Sequence, residues 1–120
     1  MSVKAEPKQA YESGATRSDR AGKGRYDLLP PRAMHRLARH FENGSAVHGD
    51  RNWERGQPLS RFIDSALRHL FQYLAGERDE DHLAAAAWNV MGIMEMQERI
   101  REGILPSELD DIPLSLSEEG

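Results

Sequence analysis

At 120 residues the chain has room for one domain and is too short for two ordinary ones. Its formal net charge of -4, with both signs interleaved through the foldable part, argues against a broad basic footprint for nucleic acid. Cysteine is absent, which removes disulfides and thiolate metal sites.

Residues 1 to 22 are polar and rich in Gly, Ser, Lys and Glu without any period, and read as a flexible segment. The stretch after Met1, VKAEPKQAYESG, lacks the apolar core of a signal peptide, and no run of 18 apolar residues follows, so a cytoplasmic, non-membrane protein is expected. In GKGRYDLLPP, Tyr26, Leu28 and Leu29 are fitted to dock on a core. Proline at a first helical position costs no hydrogen bond, so Pro30-Pro31 predicts a helix start.

Three helices are predicted within a domain spanning residues 23–103. In the first, Met34, Leu37, Ala38 and Phe41 form an apolar face with Glu42 at its edge. Gly44 bends or stops this helix, or it runs on towards Gly49. The segment GDRNWERGQP is a loop, with two Gly, one Pro and an Asp/Asn pair. The second helix takes Ser60 as N-cap and buries Ile63, Ala66, Leu67, Leu70 and Leu74. Phe62, Phe71 and Tyr73 widen that stripe, which suits a central helix or a subunit interface. Gly76 ends it. The third starts near Asp79 to Asp81, where acids complement the helix dipole, and its stripe is Leu83, Ala87, Val90 and Met94. Residues 104–120 are acidic and broken by proline, and read as a tail or an arm.

The linker between the second and third helices is short, so these two should be antiparallel neighbours. That pairing sets His69 against His82 and Asn89, which share one helical face with Ala86 between them. Carboxylates and a neutral imidazole can hold a divalent ion, which neutralises polyphosphate and acidifies bound water. Glu42 is a further ligand or a general base. Lys23, Arg25, Arg51 and Arg55 suit phosphate, Trp53 suits stacking on a base or plugging the core, and Asp50 or Asn52 suits base edges or holding the loop. No zinc-ligand signature or phosphate loop is present.

The segments GKGRYDLLPP, FENG, HGDRNWERG, RHLFQYLAGE and DEDHLAAAAWNVMGIMEM, in this order, resemble the phage-associated family of dATP/dGTP diphosphohydrolases, related in chemistry to the MazG-like pyrophosphohydrolases. The resemblance runs from about Gly22 to Glu98. It implies an all-α, small antiparallel bundle completed by oligomerisation, as a dimer or tetramer. It also implies hydrolysis of purine deoxynucleoside triphosphates to monophosphate and pyrophosphate, in phage nucleotide metabolism. The implied cofactor is a divalent metal, Mg²⁺ first, with Mn²⁺ or Co²⁺ as alternatives. Glu42, Asp50, Asn52, Trp53, His69, Glu77, Asp79, His82 and Asn89 fall at the family's recurring positions. His48 stands where the family carries Tyr before GDRNW, and the paired-acid motif of MazG enzymes is not reproduced.

The expected mechanism is in-line attack at the α-phosphorus. Metal sits on Glu42, Glu77, Asp79 and His82; Glu42, His69 and Glu77 are the catalytic candidates. Lys23, Arg25, Arg51 and Arg55 face phosphate, and Asp50, Asn52, Trp53 and Asn89 orient the nucleotide. No membrane or stable nucleic-acid partner is expected. Two rivals stand beside this reading: a non-catalytic helical oligomerisation module, and a DNA-binding accessory protein using the loop arginines.

Overall fold

The computed structural model describes residues 7–113, which fall into two compact units divided after Pro30. The first unit carries an antiparallel hairpin, β1 (Lys8–Ala10) and β2 (Thr16–Ser18), with Gln9 opposite Arg17. Gly14 turns the hairpin at a φ of 92°, and its N–H donates to the Tyr11 carbonyl. All six strand residues are exposed, so no apolar alternation marked them in the sequence. Tyr26 and Leu28 lie in a 3-10 turn and are exposed with Leu29, instead of docking on a core.

The second unit is all-α among the described residues. Helix α1 (Pro31–His48) passes through Gly44 and closes at Gly49, whose φ is 89°. Helix α2 (Leu59–Leu74) ends in a Schellman arrangement: the N–H of Glu77 reaches the Gln72 carbonyl while Gly76 takes the left-handed conformation. Helix α3 (His82–Arg101) is capped by Asp81, whose side chain accepts from the Ala84 N–H at 3.1 Å. Asp81 also takes a bidentate pair from Arg36 at 2.6 and 2.8 Å, which fastens α1 to the start of α3.

Contacts fix the helix directions. His69 meets His82, Phe62 meets Trp88, and Leu59 packs with Met96, so α2 and α3 run antiparallel. Leu59, Phe62 and Met96 form the core, with Trp53, Trp88, Ile93 and Leu105 against it. Ala85 is fully buried, and Ala66, Ala84 and Ala86 nearly so. These small residues, with Gly92, let the two backbones approach closely.

Several expectations change. Helix α2 begins one residue before Ser60, and Ser60 is not its cap. Its N–H instead donates to the Asp111 carboxylate at 2.9 Å, and its hydroxyl bonds the same group. The buried row of α2 is Leu59, Phe62, Ala66 and His69, while Leu67, Leu70 and Leu74 are exposed. On α3, Ala87, Val90 and Met94 are exposed, and Ala85, Ala86, Asn89 and Met96 face in. On α1 only Leu37 is fully buried. The C-terminal segment is not a free tail through Asp111. Leu105 packs on the core, and Leu105 and Leu109 close over Gly56. Residues 114–120 of the expected arm lie outside the described residues. No helix among the described residues is long and apolar enough to cross a membrane.

Candidate functional site

A cavity of about 720 Å³ lies among α1, the 3-10 turn Asn52–Arg55, α2 and α3. Its wall is aromatic on one side, with Phe41, Trp53 and Trp88. Trp88 is the hub of this side: its ring lies 5.8 Å from His40, 6.0 Å from Phe41 and 5.8 Å from Phe62 between centroids. Trp53 packs on the core as well as lining the cavity, and the Arg99 guanidinium sits 4.9 Å from its ring centroid. It therefore combines the core and cavity readings. Arg51 and Arg61 contribute two permanent positive charges, and Glu80 is the sole carboxylate of the lining. Such an imbalance attracts a polyanion.

Arg51 is held in the left-handed region at a φ of 55°, opening the 3-10 turn. A non-glycine residue in this conformation carries strain of the kind found at functional loops. Asn89 is buried, and its Nδ2 donates to the Ala85 carbonyl at 2.8 Å. That bond leaves Oδ1 as the part of this cavity-lining amide that accepts.

Where α2 and α3 meet, two buried imidazoles face each other with 3.0 Å between their Nδ1 atoms. His82 Nε2 lies 2.8 Å from an Asp79 carboxylate oxygen, and Glu80 Oε1 lies 3.7 Å from His69 Nδ1. Asp79 accepts the Nε2 proton of His82, so in a neutral ring His82 Nδ1 is the bare acceptor. His69 then carries its proton on Nδ1 and donates it across the pair. Burial pushes the His69 imidazole below its ordinary pKa, and neighbouring Arg68 adds to the shift. Asp79 is lowered by its bond to His82, and Asp81 falls to about 2, chiefly through Arg36.

The residues singled out in the sequence divide among these places. Arg51, Asn52, Trp53, His69 and Asn89 line the cavity. His82 and Asp79 stand directly behind His69. Glu42 and Glu77 are exposed and do not join the histidine pair: among the described residues, the one set of three metal-competent side chains is His69, Glu80 and His82. Asp50 bonds the Ser45 hydroxyl and closes the end of α1, outside the cavity wall, and Arg55 is exposed in the turn. Lys23 and Arg25 belong to the first unit, where Arg25 forms a bidentate pair with Asp27. Trp88 and Arg61 were missed as site residues, and Glu80 stood in the sequence only as one of the acids at the turn between the second and third helices. Trp88 and Arg61 fall on helical faces adjoining Asn89 and His69, which was the available signal. Glu80 was hidden in an acidic run whose backbone path is not written in residue types.

Helices around an aromatic, cationic cavity with a buried imidazole pair behind it define the class, a small all-α domain. The family described as dATP/dGTP diphosphohydrolase, N-terminal, matches residues 13–104, and the chain belongs to that family. No curated protein and no solved structure matches the chain.

Proposed function

We propose that this protein hydrolyses dATP or dGTP, or both, to the nucleoside monophosphate and pyrophosphate in a divalent-metal-dependent reaction. The family's name supplies the reaction class. The observation that carries the reading on this chain is the cavity, which is of the size a nucleotide needs and pairs aromatic rings with two guanidiniums. Trp88 and Trp53 offer faces to a purine. Asn89 Oδ1 accepts from an exocyclic amino group or ring N–H of the base. Arg51 and Arg61 take the phosphates with forked donors and stabilise the charge that grows on them during cleavage. The Glu80 oxygen not needed for a metal accepts a proton from the attacking water, whose oxygen bonds to the α-phosphorus as the bond to pyrophosphate breaks. When bound, a divalent cation would neutralise phosphate charge and make its bound water more acidic. His69, Glu80 and His82 are the residues that would hold it. The setting implied by the resemblance is phage nucleotide metabolism in the host cytoplasm.

The test is to incubate the protein with each of the four deoxynucleoside triphosphates and Mg²⁺, Mn²⁺ or Co²⁺, and to resolve products by ion exchange. Equal amounts of monophosphate and pyrophosphate from a purine substrate are expected. Arg61→Ala should slow turnover by about 10²-fold, the scale for losing one charge-stabilising donor. No pyrophosphate from any nucleotide with any of the metals would sink the proposal. We also infer that the domain is completed by a second copy of itself. Leu67, Leu70, Phe71, Leu74, Val90 and Met94 are exposed on α2 and α3, which favours association. The same observation favours the second reading, an oligomerisation module without catalysis, which the product assay separates from the first.

A further inference from the structure

We infer that His69, Glu80 and His82 form a binding site for a borderline transition cation of the Zn²⁺ or Co²⁺ class, with one coordination position open to the cavity, and not a Mg²⁺ site. The ligand atoms of the three residues all lie within 4.8 Å of one another. Two of the three are imidazole nitrogens on rings that are almost wholly buried, His69 at 7% and His82 at 2% exposure. Mg²⁺ prefers an octahedron of oxygens and keeps much of its water, whereas imidazole suits the borderline ions.

The geometry is close to what such an ion needs. A tetrahedral ion about 2.0–2.1 Å from each nitrogen sets the two nitrogens roughly 3.3 Å apart. The Nδ1 atoms are 3.0 Å apart, so the rings open by a few tenths of an ångström. Glu80 Oε1, 3.7 Å from His69 Nδ1 and within 4.8 Å of the His82 ligand atom, reaches the third vertex by turning its exposed side chain inward. The proton now held between the rings is what the ion replaces. His82 already presents a bare Nδ1, and His69 exposes its own by carrying its proton on Nε2 instead, so both rings stay neutral.

Behind His82, Asp79 accepts the Nε2 proton at 2.8 Å. This is the arrangement of a metal-binding histidine whose second nitrogen is tied to a carboxylate, which fixes the ring and strengthens the ligand. His69 and Glu80 both line the cavity, so the fourth position faces the space where phosphate would lie. Three protein ligands and one open position mark a catalytic rather than a structural site. The assignment rests on and sharpens the metal-dependent reading proposed above, and because cation binding can be read without nucleotide, the two can fail separately.

The experiment titrates the full chain, stripped with chelator, with Co²⁺ alone and follows the visible absorption of the ion. One equivalent should give the intense bands of a four- or five-coordinate centre, and equimolar Zn²⁺ should abolish them while excess Mg²⁺ does not. Glu80→Gln is the main variant, since Glu80 is exposed and its loss leaves the packing intact. It should weaken Co²⁺ binding at least tenfold with unchanged helical circular dichroism. Asp79→Asn should weaken it by about 10–100-fold through the orientation of His82. His69→Gln should remove the bands. Weak octahedral bands only, full displacement by Mg²⁺, or equal affinity in Glu80→Gln would each overturn the assignment.

Discussion

Gly92 shows how one missing side chain sets the distance between α2 and α3. A Cβ built there would lie 2.5 Å from Phe62 Cε1 and 2.8 Å from Cδ1. The Phe62 ring is 1% exposed and rests against Trp88, so it has no room to swing aside. Alanine gains about 1 kcal/mol of helix propensity over glycine, while overpacking a filled core costs about 1–3 kcal/mol. Gly92→Ala is therefore expected to destabilise the domain by roughly 1 kcal/mol net. Chemical denaturation reads this as a lower midpoint at constant slope. Phe62→Leu in the same chain should relieve the clash, so the two changes together should cost less than their sum. A raised midpoint for Gly92→Ala alone would contradict the contact. The sequence offered no sign of this role, because a glycine inside a helical period looks like a tolerated defect until its neighbour across the interface is known. His69, His82 and Asn89 were legible as a group for the opposite reason: helical spacing and a short linker were enough to bring them together.

At the scale of elements, helix ends were easier to read than helix faces. Pro31, Gly76 and the acids near Asp81 are local punctuation, and the chain obeys them. The buried faces depend on which neighbour comes near. Large residues such as Leu70 and Val90 looked like core, yet close antiparallel contact favours alanine, glycine and one well-placed Phe between the helices. Asp81 joins two elements at once, as the cap of α3 and the partner of Arg36 on α1. Loss of an N-cap costs about 1 kcal/mol, and a solvent-exposed ion pair contributes about 0–1 kcal/mol. Asp81→Ala should thus lower stability by roughly 1–2 kcal/mol. Asp81→Ser keeps a capping oxygen and should recover most of that loss, since only the exposed ion pair to Arg36 is forfeited. Thermal unfolding followed by far-ultraviolet circular dichroism distinguishes them. Equal destabilisation by both variants would mean that the Arg36 pair, and not the cap, dominates.

At the scale of the molecule, the exposed apolar rows are the feature to be explained. Leu67, Leu70, Phe71 and Leu74 share one face of α2, as Ala87, Val90 and Met94 share one of α3. On each helix the exposed row is rotated by roughly 120°, in the same sense, from the buried row. Antiparallel helices with equal rotations of this kind present both rows on one side of the pair. Arg36, His40 and Phe41 tie α1 to α3 through Asp81 and Trp88, and these contacts lie on the other side. Each Leu, Phe, Val or Met taken fully out of water contributes about 1.5–3 kcal/mol, so leaving this row solvated forgoes a large stabilisation for a small domain. A second copy, related by a two-fold axis, would present the same two-helix face and close a four-helix core. Phe71, 66% exposed, and Leu74, 80% exposed, make few contacts within the domain. Phe71→Glu and Leu74→Glu should therefore leave the monomer fold intact and place like charges opposite each other across the axis. Light scattering coupled to gel filtration should show the native chain at twice its 13.6 kDa mass or a multiple, and the double variant at the monomer mass with retained helicity. A native chain that stays monomeric at high concentration would leave this face without the partner argued for it.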